Sequence, residues 1–228
     1  MDTNQDYTTH RKALLTFNVF FREDTTTQQF LKSIIAKDPE HWAFFRSIFK
    51  GQERCTLTLV DRSIETPFQC MLAALFLKQL SLELGVYFDC PKLILTPVSK
   101  SKQHLTNTAN AVFESSEERN AFLTKCMTEA FGKEASIINR RNPVFCRDLK
   151  IETTDYVLYI RCEGGIAYGW QLDETSTGKL SCQQLLMHQK RDLPCYNIFT
   201  HSFSRNGVFI NVDLQPRQPV RAPCRVTL

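Results

Sequence analysis

The stretch ETPFQCMLAALFLKQLSLELG, from Glu65 to Gly85, constrains the fold of this chain more than any other. It carries a helix's punctuation: Thr66 as N-cap, Pro67 in the first turn and Gly85 just past the end. Between these, Leu72, Ala73, Leu75, Phe76 and Leu80 leave little polar surface in the first half. A helix that is apolar nearly all round cannot lie on a surface, so this one is expected inside, with other elements packed about it.

Those other elements change character along the chain. ALLTFNVFF (Ala13 to Phe21) is rich in β-branched and aromatic residues over a strand's length, and DTTTQQFLKSIIA then switches to helical spacing. Asp38 as cap, Pro39 in the first turn and the acid Glu40 open a second helix that Gly51 closes, and RCTLTLV follows as a strand. After the central helix, VYFDCPKLILTPV reads as strand and SKSKQHLTNTANAVF as a polar connection. Ser115 and Glu118 form the Ser-x-x-Glu signature of a helix start, with Phe122, Met127 and Phe131 facing the core and Gly132 at the end.

Beyond Gly132 the period changes. TTDYVLYIRC, GIAYGWQL, CYNIFTHSF and GVFINVDL are short, β-branched and aromatic, and separated by turn residues, which reads as an antiparallel meander. Helices before Gly132 and strands after it define an α+β chain, without the strict βαβ alternation of a parallel sheet. Residues 1–214 are expected to form one domain, with a subdivision near 135 left open. QPRQPVRAPCRVTL (215–228), with three prolines and three arginines, reads as a tail that is mobile or bound to a partner.

Composition narrows the function classes. Eight glycines in 228 residues is about half the usual supply, and neither GxGxxG nor GxxxxGK occurs, so no phosphate-cradling loop or nucleotide cofactor is expected. The opening MDTNQDYTTHRK lacks a signal peptide's apolar stretch, and no apolar run approaches a membrane span. Nine cysteines, an odd number spread through the chain, suit reduced thiols in cytoplasm or nucleus better than a disulfide framework.

Two chemistries would rest on particular residues. Cys182, His188, Cys195 and His201 are four zinc-type ligands within twenty residues, but a strand over CYNIFTHSF would hold Cys195 and His201 about 20 Å apart, so no metal is expected there. Cys70 sits near a helix start, where a thiolate gains from the dipole, and Gln69 before it resembles the papain-like cysteine proteases over a handful of residues. That resemblance implies a cysteine hydrolase, yet YVLYIRCEGGIAYGW, most like such an enzyme's downstream strand pair, holds no histidine. The expectation is therefore a structural Cys70 and no catalytic residues.

Binding remains. Lys100, Lys102, Arg140, Arg141, Arg217 and Arg221 could contact phosphates, and Tyr156, Tyr159, Tyr168 and Trp170 could stack bases, although a net charge of +4 is modest for a nucleic-acid protein. Seventeen phenylalanines point instead toward a protein-binding surface, and in EHWAFFRSIF the stripe Trp42, Phe45 and Phe49 is its leading candidate. The sequence thus favours a non-enzymatic intracellular protein that binds another protein, in the style of a virus-encoded accessory or structural protein. RNA binding is the alternative, and a Cys70 hydrolase the second alternative.

Overall fold

The structure is a computed structural model that describes residues 13–19, 32, 35–36, 38–52, 55–62, 64–98, 109–141, 148–162, 170–172, 180–188, 195–197 and 208–217. In chain order its elements are β1 (Ala13–Val19), α1 (Pro39–Phe49), β2 (Thr56–Asp61), α2 (Pro67–Leu84), β3 (Lys92–Leu95), α3 (Ser116–Phe131) and β4 (Ser136–Asn139). After them come β5 (Asp148–Glu152), β6 (Tyr156–Cys162), β7 (Trp170–Leu172), α4 (Cys182–His188), β8 (Cys195–Asn197) and β9 (Val208–Pro216).

The expected helix boundaries follow from local chemistry. Thr66 Oγ1 accepts from Gln69 N, while the Gln69 side-chain oxygen accepts from the amides of Thr66 and Glu65. This reciprocal cap starts α2, and Gly85 ends it at φ +67°, a left-handed conformation that costs other residues more. Ser115 caps α3 in the same way, accepting from Glu118 N, and the Glu118 carboxylate reaches back to Glu114 N.

Seven strands form one mixed sheet in the order β1-β9-β6-β5-β2-β3-β4. The expected α+β class holds, with two differences in arrangement. First, β2, β3 and β4 are parallel neighbours joined through α2 and α3, so a βαβαβ unit does exist in the first half. Two crossovers stepping the same way along a sheet place both helices on one face, and α2 packs against α3. Second, the meander is interrupted: β6 pairs directly with β9, while β7 and β8 leave the sheet as a two-stranded ribbon. Strands from both halves share the sheet, since β2 pairs with β5 and β1 with β9. The last strand runs to Pro216, into the segment expected to be tail.

Strand alternation divides the sheet into two unlike faces. Leu57, Leu59, Leu93, Leu95, Leu149, Ile151, Leu158, Ile160, Val212 and Leu214 are buried on the helix side. Alternate positions such as Val60, Ile94, Lys150, Tyr159 and Asp213 stay partly exposed on the other. Against the covered face lies α2, burying residues around its whole circumference, with α1, α3 and α4 all touching it.

This arrangement corrects the expectation for α1. Trp42, Phe45 and Phe49 are 1%, 0% and 0% exposed, with Trp42 and Phe45 edge to face at 5.5 Å, because this stripe packs into the core beside α2. It is not a partner-binding surface. Phe44 and Ile48, the adjacent stripe, also pack partly against the core.

Asp38 caps α1, accepting from His41 N at 3.1 Å and lying 2.8 Å from His41 Nδ1. These hydrogen bonds, the side-chain one first, hold its carboxyl below the ordinary 3.8. A depressed acid stabilises the fold above the unfolded value, and that contribution disappears as pH falls through the lower folded value. Replacing Asp38→Ala should cost about 1 kcal/mol at pH 7, and the difference from wild type in urea midpoint should shrink as pH falls below the ordinary carboxylate range.

Candidate functional site

In open sheets with parallel strands, ligands tend to bind beyond the carboxyl ends of those strands, so the ends of β2, β3 and β4 are the first place to search. Arg119, in the first turn of α3, is 1% exposed there. Its Nε and Nη2 donate to Asn120 Oδ1 at 3.2 and 3.0 Å, Nη2 also to Asn139 Oδ1 at 2.6 Å, and Nη1 to the carbonyls of Ile64 at 3.3 Å and Thr96 at 2.6 Å. A guanidinium has five N–H donors, and these five bonds use all of them. Arg119 therefore ties three strand ends together and holds no donor in reserve for an anion.

The surrounding groups are similarly engaged. The amide of Phe113 donates to the carbonyl of Glu65, that of Phe68 to Ala109, and that of Ala109 to Leu180. The Asn110 side chain brackets Leu172, donating to its carbonyl and accepting from its amide, both at 2.9 Å. The segment Ala109–Phe113, expected to belong to a polar connection, is in part a buried staple between α2 and β7. Two groups stand apart. Glu65 is half-buried, and desolvation raises its carboxyl although nearby Arg119 draws it down. The Thr96 hydroxyl is buried without a hydrogen-bond partner among the described residues.

Cys70 is fully buried, and burial first, then the nearby Cys126, pushes its thiol well above the ordinary value. Gln69, which the protease resemblance would use beside an oxyanion, has its oxygen committed to the helix cap. A protonated, inaccessible thiol is a packing group. Cys182 and His188 stand at opposite ends of α4, about 9 Å apart along its axis. Cys195 begins β8, and His201 lies outside the described residues.

Of the basic candidates, Arg140 and Arg141 are exposed directly after β4. Arg217 is exposed as well, but its Nη1 donates to the Thr153 carbonyl at 3.1 Å and its amide to Asp155, so it closes the β5–β6 turn. Lys100, Lys102 and Arg221 lie outside the described residues, as do Tyr168 and the side chain of Trp170. Tyr156 packs partly against the core, while Tyr159 lies on the uncovered sheet face. On that face Lys150 Nζ forms an ion pair with Glu152 Oε1 at 2.8 Å, and the Gln215 side-chain amide donates to Asp213 at 2.6 Å.

The same face carries an apolar row. Val60, Ile94 and Ile138 are register partners across β2, β3 and β4, and each is partly exposed. Sequence reasoning missed it, because SIIN was not read as a strand.

No protein-family model matches the chain, and neither a curated protein nor a solved structure matches it. Among the described residues no helix is long and apolar enough to cross a membrane.

Proposed function

We propose that this chain is a non-enzymatic protein that works by binding another protein, with the uncovered face of its seven-stranded sheet as the docking surface. The observation that carries this reading is the row Val60, Ile94 and Ile138, apolar, in register and partly exposed beside locally paired charges. An apolar strip of this kind resembles a protein interface more than a phosphate-binding surface, which is built from clustered positive charge. The described cysteines, among which no disulfide forms, suit a reducing cytoplasm or nucleus.

RNA binding is the second reading, favoured by one observation, the adjacent exposed Arg140 and Arg141. One experiment separates the two. Ile94→Glu with Ile138→Glu should remove the proteins retained by the wild type while leaving the thermal midpoint within a few degrees. Arg140→Ala with Arg141→Ala should leave that retention unchanged. Submicromolar oligonucleotide binding at low salt, with a salt slope reduced by about one per arginine removed, would replace the protein-binding reading with the RNA one.

A further inference from the structure

β4 ends the sheet, and among the described residues no strand pairs with its outer side. The amides of Ser136 and Arg140 donate inward, to the carbonyls of Pro91 and Leu95 at 2.9 and 2.8 Å. By strand alternation, the amides and carbonyls of Ile137 and Asn139 point outward. Such an edge is a template for another strand.

We infer that the edge pairs with the same edge of a second copy of this chain, antiparallel and centred on Ile137. The reason is the charge pattern. Glu134 lies three residues before Ile137 and Arg140 three residues after it, and both are exposed. Antiparallel two-fold pairing about Ile137 places Glu134 opposite Arg140 of the second copy and Arg140 opposite its Glu134, so two ion pairs form at once. Lys133, which falls opposite Arg141 in this register, is already neutralised by its own ion pair with Asp89.

The outward groups allow only certain registers, and the others lack this match. Centring on Ile138 sets Arg140 opposite Ser136, and centring on Asn139 sets it opposite Ile138. In the Ile137 register, Ile138 faces Ser136 of the other copy and lies diagonal to its Ile138, so the two apolar rows meet across the junction. The pairing uses the sheet's edge and not its face, and it stands whether or not the face binds another protein.

Sedimentation equilibrium of the full chain tests this with charge reversals at exposed positions. The wild type should form a dimer that weakens with added salt. Glu134→Arg and Arg140→Glu should each weaken dimerisation about tenfold or more, since each replaces two attractions by two repulsions. The double reversal should restore it. A wild-type chain that stays monomeric, including one that takes up an extended peptide on this edge instead, would overturn the inference. So would a dimer insensitive to the single reversals, or one that the double reversal fails to restore. Hydrogen exchange on the unaltered chain is a second readout: the Ile137 and Asn139 amides should become protected as protein concentration rises. Equal exchange at all concentrations would also overturn the inference.

Discussion

Replacing Arg119 by Met should destabilise the fold by about 3–5 kcal/mol, the largest effect expected of a single substitution here. The loss is not the charge alone. Without the guanidinium, the carbonyls of Ile64 and Thr96 and the amide oxygens of Asn120 and Asn139 lose a charged donor at the ends of β2, β3 and β4. Unpaired buried acceptors cost about 1–3 kcal/mol each when water cannot reach them, and partial relaxation keeps the sum within the stated range. Arg119→Lys should recover little, because one ammonium has three donors on a point charge and cannot span a fork reaching three strand ends. Urea titration of the two variants measures both values. Loss below about 1 kcal/mol, or full recovery with Lys, would mean that the ends of the parallel strands are held together by packing alone.

Arg119 also shows what was legible in advance. In SSEERNAFLTKC it reads as one more surface charge near a helix start, yet it is in phase with Phe122, Leu123 and Cys126, the apolar face of α3. An arginine on a buried phase signals a polar environment inside, but only the tertiary structure shows that three strand ends supply it. Caps and the interior helix were legible because their causes are local: Thr66, Pro67 and Gly85 act over a few residues.

Strands β4 and β5 escaped notice for the opposite reason. SIIN and DLKIE are four and five residues long, bordered by charge, and their stability comes from neighbours distant in sequence. GIAYGWQL and CYNIFTHSF are legible as strands and contain β7 and β8, but that these two pair as a separate ribbon depends on residues distant in sequence. For α1, periodicity identified the stripe Trp42, Phe45 and Phe49, but which side faces the core depends on where α2 lies. An apolar stripe at helical spacing indicates burial against something, and here that is the chain's own core.

The cysteines should divide sharply by reactivity. Cys90 is exposed, whereas Cys70 on α2 and Cys126 on α3 are both 0% exposed. Burial, the largest cause, pushes the Cys126 thiol from 9.0 up to about 12, and Cys70 shifts the same way. At pH 8 this lowers the Cys126 thiolate fraction about a thousandfold, before any loss of access is counted. Native alkylation followed by mass spectrometry should therefore modify Cys90 within minutes and leave Cys70 and Cys126 untouched until the chain unfolds. Selective labelling of Cys70 would revive a nucleophilic role for it. The same shifts predict the alkaline limit of stability. An acid whose folded value is raised contributes fully below the unfolded value, and that contribution falls as pH climbs toward the folded one. Between pH 9 and 12, Cys126 alone should remove about 1.4 kcal/mol per pH unit, because the unfolded chain can ionise this thiol and the folded chain cannot. Cys126→Ala should flatten the pH dependence over that window while lowering stability at pH 7 by the ordinary cost of a small cavity. An unchanged alkaline slope in that variant would show that the thiol reaches water in the folded state.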